Sequence, residues 1–276
     1  MPTMDSQRRV AAVCVASGLA SGMRNVLILG GTSEARQLAG RLADRSDLKV
    51  TLSLAGRTAQ PAAQPVPVRI GGFGGTDGLA AYLTAHRIGV LIDATHPYAA
   101  TIAAHAAEAA ARARIPIAAL RRKAWTPTAG DRWIEVADVA GAVAALGAVP
   151  GRVFLAIGRK EVGAFEAAPQ HDYLIRSVDP VEPPLKLPYA TYIVARGPFT
   201  EQDEHALLKE HRIESVVAKN SGGSATYGKI AAARALGIEV VMLRRPGLPD
   251  VPAVETVPDA VAWLDHVPVP STDRGV

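Results

Sequence analysis

The chain of 276 residues has one cysteine, Cys14, which excludes an intrachain disulfide framework and a cysteine-rich zinc site. Aromatic residues are scarce at 5%, and no basic stripe runs among them. Nucleic-acid recognition needs clustered positive charge and stacking surfaces, so no nucleic-acid partner is expected. Hydrophobic residues reach 49%, yet no apolar run approaches the ~20 residues that a membrane-spanning helix requires. No block of like charge stands out either: Lys and Arg number 30 against 26 Asp and Glu. That small excess is solvated surface or the complement of an anionic ligand. A soluble, cytoplasmic globular protein is expected, long enough for two cores rather than one.

The first 22 residues, "MPTMDSQRRVAAVCVASGLASG", pair a basic start with small, mildly apolar residues. A secretory signal has this order, but a strand-like segment follows where cleavage would fall. Residues 1–22 are expected to be a disordered extension or an upstream mis-start, with Met23 opening the fold.

From Asn25 onward, apolar runs alternate with helical spacing. "NVLILG" predicts a buried strand, and Ser33 to Ala43 a helix with Ala35, Leu38, Ala39 and Leu42 on one face. Strands at 48–55, 66–72, 89–95 and 115–120 follow, with helices at 75–86 and 98–113. A similar run continues with strands at "RWIEVAD", 151–158, "DYLIRSV", "ATYIVARG", 213–220 and "IEVVMLRRP", and helices at 139–146, 199–211 and 227–236. "PDAVAWLDHV" closes the chain as a helix. This rhythm predicts an α/β protein of two parallel-sheet domains, spanning 23–124 and 125–266, with a loose tail at 267–276.

The chemistry gathers where strands end. Between the first strand and helix stand Gly30, Gly31, Thr32, Ser33 and Glu34. A strand–glycine–helix junction aims free N–H groups and a helix dipole at one point, which suits a phosphate. The spacing G-x-G-x-x-G is absent, so the loop alone is equally a tight turn with a helix cap. Arg57 and Thr58 end the second strand, where Rossmann proteins choose between an acid for NAD and an arginine for the 2′-phosphate of NADP. "GGFGG" brings Gly72, Phe73 and Gly74 to the third strand end, and "DATHPYA" brings Asp93, Thr95, His96 and Tyr98 to the fourth. In the second half, strand ends carry Arg159 and Lys160, then Arg196, then Lys219, Asn220, Ser221, Gly222 and Gly223. Each is an ordinary surface residue by itself. On one edge they would form a basic wall suited to a substrate with several carboxylates.

Taken in order, GGT-x-EAR, SLAGRT, GGFGG, DATHPYA, RGPF and K-x-SGG with a downstream lysine resemble the precorrin-6A reductase family of cobalamin biosynthesis. The resemblance covers residues 24 to 265. It implies two Rossmann-like domains across a cleft, with exchange of a strand between the halves allowed for. It also implies NADPH as cofactor, precorrin-6A as substrate, and reduction of one carbon–carbon double bond to give precorrin-6B. On that basis Gly30, Gly31, Thr32, Ser33 and Glu34 would hold phosphates and ribose, and Arg57 with Thr58 the 2′-phosphate. Gly72, Phe73, Gly74, Thr95, His96 and Tyr98 would line the nicotinamide side. Arg159, Arg196, Lys219, Ser221, Gly222 and Gly223 would meet the substrate. Lys219, His96 and Tyr98 are the candidate proton donors, with water as the alternative, and no metal ligand set is expected. A different NADP-dependent reductase or epimerase fits less well, because no Tyr-x-x-x-Lys pair is present; Ile102 stands four residues past Tyr98. A nucleotide-sensing protein without catalysis would have little use for the second basic wall.

Overall fold

A computed structural model of the chain describes residues 23–56 and 63–268. The expected extension at 1–22 lies outside them. The first half runs β1 (Arg24–Leu29), α1 (Ser33–Leu42), β2 (Leu48–Leu54), β3 (Val68–Ile70), α2 (Gly75–Ala85), β4 (Ile88–Asp93), α3 (Ala100–Ala113) and β5 (Ile117–Leu120). Strand β1 shows why this sequence makes a covered parallel sheet. Its alternate residues point to opposite faces, and Val26 to Leu29 are apolar throughout, so both faces demand a lid. Val26 and Ile28 pack with Ala35, Leu38, Ala39 and Leu42 of α1. Leu27 and Leu29 pack with Leu79 and Leu83 of α2 and with Ala106, Ala109 and Ala110 of α3. Thr32 caps α1 by accepting from the Ala35 N–H at 3.1 Å, which fixes where the helix starts.

The second half runs β6 (Trp133–Val136), α4 (Val139–Ala145), β7 (Arg152–Ala156), a 3-10 helix (Val162–Ala167), β8 (Asp172–Ser177), β9 (Ala190–Val194), α5 (Glu201–Glu210), β10 (Ser215–Lys219), α6 (Gly228–Leu236) and β11 (Glu239–Leu243). The last elements among the described residues are β12 (Ala253–Val254) and α7 (Val257–His266). Among the described residues all the pairings are parallel, in two six-stranded sheets ordered β3-β2-β1-β4-β5-β12 and β9-β8-β7-β10-β11-β6.

The closing segment departs from expectation. Residues 253–266, assigned above to the second domain, complete the first sheet. Strand β12 pairs with β5, and Val257, Ala260 and Leu264 of α7 enter the core shared by β1, β2 and α1. A two-residue strand carries no periodicity, so its place is set by where the apolar face of α7 finds cover. Arg24 anchors the return, donating to the carbonyls of Leu264 at 2.7 Å and Val267 at 3.2 Å. With β12 in the sixth position, the first sheet has the 3-2-1-4-5-6 order of the Rossmann fold.

Candidate active site between the two sheets

In the first sheet the strand order reverses between β1 and β4, where open α/β sheets bind ligands, and a small cleft there is lined by Thr32, Glu34, Thr95, Pro97, Leu120 and Arg122. The loop after β1 supplies its floor. Gly30 is packed: a Cβ would meet Leu52 Cδ1 at 2.6 Å. Gly31 is the opposite case, with φ +118° and nothing within 4 Å of a Cβ position. The loop after β3 repeats the open arrangement at Gly71, Gly72 and Gly74, none of which would bring a Cβ within 4 Å of another atom. Of these only Gly72 lacks a positive φ, so its glycine is not required by the backbone. Arg57 and Thr58 lie outside the described residues.

Several expected binding hydroxyls and rings are already engaged. The Thr32 hydroxyl caps α1 and donates to the Ala94 carbonyl at 2.8 Å. The Thr95 hydroxyl donates to Asp93 Oδ1 at 2.6 Å, which also accepts the Thr95 N–H. Phe73 lies beneath the Arg69 guanidinium, 3.7 Å from the ring centroid, and meets Tyr82 edge-on. Arg69 in turn donates to the carbonyls of Gly71 and Gly72, so it shapes the loop. Ser33 donates to Glu34 at 3.0 Å on the exposed side.

The β4 loop crosses to the second sheet. Tyr98 packs against that sheet's core. Its hydroxyl donates to the Leu243 carbonyl and accepts the Asn220 N–H at 2.7 Å. Burial, the dominant cause, pushes the phenol up to about 12. His96 Nε2 lies 3.1 Å from Ser221 Oγ. Burial first, then the positive charges of Arg122, Lys219 and Arg245, push its imidazole down to about 3. His96 is therefore neutral at pH 7.

On the second sheet, Lys219 ends β10 with its ammonium 2.6 Å from Glu161 Oε1 and 5.3 Å from the Tyr98 ring centroid. Arg159 follows β7 and approaches Asp179 at 3.9 Å. Arg196 follows β9 and is exposed. Ser221, Gly222 and Gly223, expected to meet a ligand, instead form the seam between the halves. Arg122 Nε and Arg245 Nη2 both donate to the Ser221 carbonyl, at 2.7 and 3.1 Å. A Cβ on Gly222 would fall on the Lys123 carbonyl oxygen, and one on Gly223 would meet Arg122 Cδ at 2.8 Å. Arg122 also pairs with Glu34 at 2.5 Å, joining this seam to the first glycine loop.

Beside the seam, Trp125, Phe199 and Tyr227 border a groove of about 570 Å³. Gly223 to Lys229 has the G-x-x-x-x-G-K spacing of a phosphate loop after a strand. The match is incomplete, because Ile230 stands where the motif has Ser or Thr, and Lys229 does not line the groove. Lys229 is 4% exposed, donates to the Thr226 carbonyl at 2.6 Å, and lies 5.2 Å from the Trp125 ring. Burial, and secondarily Arg176, push it down to about 7.

Residues 25–265 match the family model described as "Precorrin-6x reductase CbiJ/CobK". The chain belongs to this family. A curated precorrin-6A reductase from Sinorhizobium sp is 58% identical over 241 residues, covering 87% of this chain and 92% of the relative. One from Rhodobacter capsulatus is 49% identical, covering 92% and 100%. The solved structure of CobK precorrin-6A reductase superposes with a TM-score of 0.86 at 49% identity, over 92% of this chain and 100% of that one. In this precorrin-6x reductase family chain, motif reading missed Arg122, Arg245, Glu161 and Trp125, which stand outside the glycine motifs. Their partners lie 24 to 123 residues away in sequence, as in Arg245–Ser221, Lys219–Glu161 and Arg245–Arg122.

Proposed function

We propose that this chain reduces precorrin-6A to precorrin-6B with NADPH, saturating one carbon–carbon double bond of the macrocycle in cobalamin biosynthesis. The observation that carries the reading is the pair of open glycines at strand ends of a sheet with Rossmann order, Gly31 beside the switch point and Gly72 after β3. The family's name supplies the substrate class, and relatives at 58% and 49% identity carry the metal-free form of the name. That supports a substrate without cobalt.

The residues present fit a dinucleotide. Gly31 and Ser33 would offer backbone N–H groups and a hydroxyl to the phosphates at the start of α1, with Gly30 and Thr32 holding the turn. Glu34, through its carboxylate, would face ribose hydroxyls. Arg57 and Thr58, immediately past β2 and Gly56, would receive the 2′-phosphate. Gly72 and Gly74 leave room for a flat ring, while Phe73 and Thr95 shape the loops that border it. When bound, NADPH supplies a hydride to one ring carbon. The chain's own part is to orient the two partners, exclude water and deliver a proton to the neighbouring carbon. Lys219 is the side chain suited to that delivery, because its ammonium proton is shared with Glu161 rather than locked on a backbone carbonyl. His96 and Tyr98 would position the loop through Ser221, Asn220 and Leu243. Arg159 and Arg196 would take carboxylate arms, with Ser221, Gly222 and Gly223 setting the seam beneath them.

The test is anaerobic turnover of precorrin-6A, followed by loss of absorbance of both macrocycle and nicotinamide. NADPH should be preferred over NADH, and Arg57→Ala should weaken NADPH by about ten- to a hundredfold, as expected for a charge-assisted contact of about 1.5–3 kcal/mol. Equal affinity of the unaltered protein for both cofactors would overturn the assignment of Arg57.

A further inference from the structure

The groove beside the seam has a composition unlike the rest of the chain. Aromatics are 5% of the sequence, yet Trp125, Phe199 and Tyr227 meet on this one surface, with Gly223 and Ser224 between them. Trp125 is held rigidly. The Asn220 side chain clasps its backbone from both sides, Oδ1 accepting its N–H at 2.7 Å and Nδ2 donating to its carbonyl at 2.8 Å. Its indole N–H donates to the Gly223 carbonyl at 2.8 Å, and Tyr227 packs at 5.5 Å between ring centroids. A surface ring fixed in this way loses little freedom when a ligand stacks on it.

We infer that this groove seats a flat face of the tetrapyrrole, with Trp125 as the stacking residue. The inference rests on the proposed reaction for its ligand. About 570 Å³ is ample for part of a large conjugated ring and falls in the ordinary range of small-molecule sites. The groove adjoins the site through packed residues: Gly223 borders it and abuts Arg122, whose partner Glu34 opens α1 beside the first glycine loop. Its charged lining residues are Lys123 and Glu201. Lys123 pairs with Glu255 at 3.1 Å on the exposed surface, and a ring bearing acetate and propionate arms would turn them toward Lys123 in competition with that pair. Orientation of the macrocycle would then follow from that charge difference.

Two variants test the inference. Ser224→Ile adds branched bulk at an exposed position without an aromatic face, and Trp125→Leu removes the stacking surface. Steady-state turnover with precorrin-6A, and NADPH affinity from nicotinamide fluorescence, are measured on both folded variants. Ser224→Ile should raise KM for precorrin-6A at least about tenfold, and Trp125→Leu by about five- to a hundredfold, as stacking contacts of 1–3 kcal/mol imply. NADPH affinity should stay within about twofold in both. An unchanged KM in Ser224→Ile overturns the inference. So does weakened NADPH binding with an unchanged KM, which would place the cofactor in the groove. Precorrin-6A quenching of tryptophan fluorescence, measured without NADPH, separates the groove from the reaction. Quenching in the unaltered protein that is lost in Ser224→Ile supports the groove even if no turnover occurs, whereas failed turnover alone overturns the proposed reaction. Absence of quenching in the unaltered protein overturns the groove.

Discussion

The two halves use the same sequence signal, paired glycines after a parallel strand, for opposite purposes. Gly31 and Gly72 in the first half face empty space, whereas Gly222 and Gly223 in the second half face protein. All but Gly72 have positive φ, so backbone conformation does not distinguish the two sets. What distinguishes them is the neighbour. The first loops end at a crevice edge, while the second is pressed onto the connecting segment by Arg122 and Arg245. An open glycine floor admits a ligand; a filled one joins two bodies.

The comparison breaks most visibly at Gly222. Gly222→Ala should cost about 3–5 kcal/mol in chemical denaturation, combining overpacking against the Lys123 carbonyl with a left-handed backbone. Unchanged stability would mean that the seam is loose. Arg122→Ala should cost about 2 kcal/mol in the same measurement, because it strands the Glu34 carboxylate and removes a donor from Ser221. A Glu34→Gln, Arg122→Ala double variant should recover part of that loss. Gly72→Val tests the open side: stability should move by less than about 0.5 kcal/mol, while NADPH binding weakens about tenfold or more, near 1.4 kcal/mol. Gly31→Val is a poorer probe, since φ +118° strains any side chain whether or not a ligand binds.

The smallest effect is acid sensitivity across the seam. His96 titrates near 3 when folded against 6.5 for the free side chain, so the folded state favours its neutral form. Its contribution is fully present above pH 6.5 and is lost as pH falls toward 3. Between pH 6 and pH 5 the loss should be about 1 kcal/mol, and His96→Gln should flatten that slope in denaturation curves.

Most of the architecture could be read from periodicity, because each strand and helix signals its own buried face. Ala35, Leu38, Ala39 and Leu42 are the residues that α1 buries, and the helix-to-strand alternation gives both parallel sheets. The positions of the open glycines could be read as well, since they sit at strand ends. The seam could not, because its bonds join carbonyls and charges from distant segments that have no shared pattern. Lys219 looked like one charge of a basic wall, and its pairing with Glu161 depends on how the turn after β7 folds back. Phe73 looked like a ring facing a ligand, and Arg69 of β3 covers it. Strand β12 is too short to announce itself.

The return of the C-terminus to the first sheet also bears on synthesis. A domain begun at Arg24 depends on Leu264 and Val267 for the bonds that fix that arginine, and on Ala260 and Leu264 to close one side of its core. As the chain leaves the ribosome, the second sheet has its six strands by Leu243, before the first has received β12. The half that is translated first therefore lacks its sixth strand, and the part of its core that Ala260 and Leu264 close, until the segment past Leu243 has emerged.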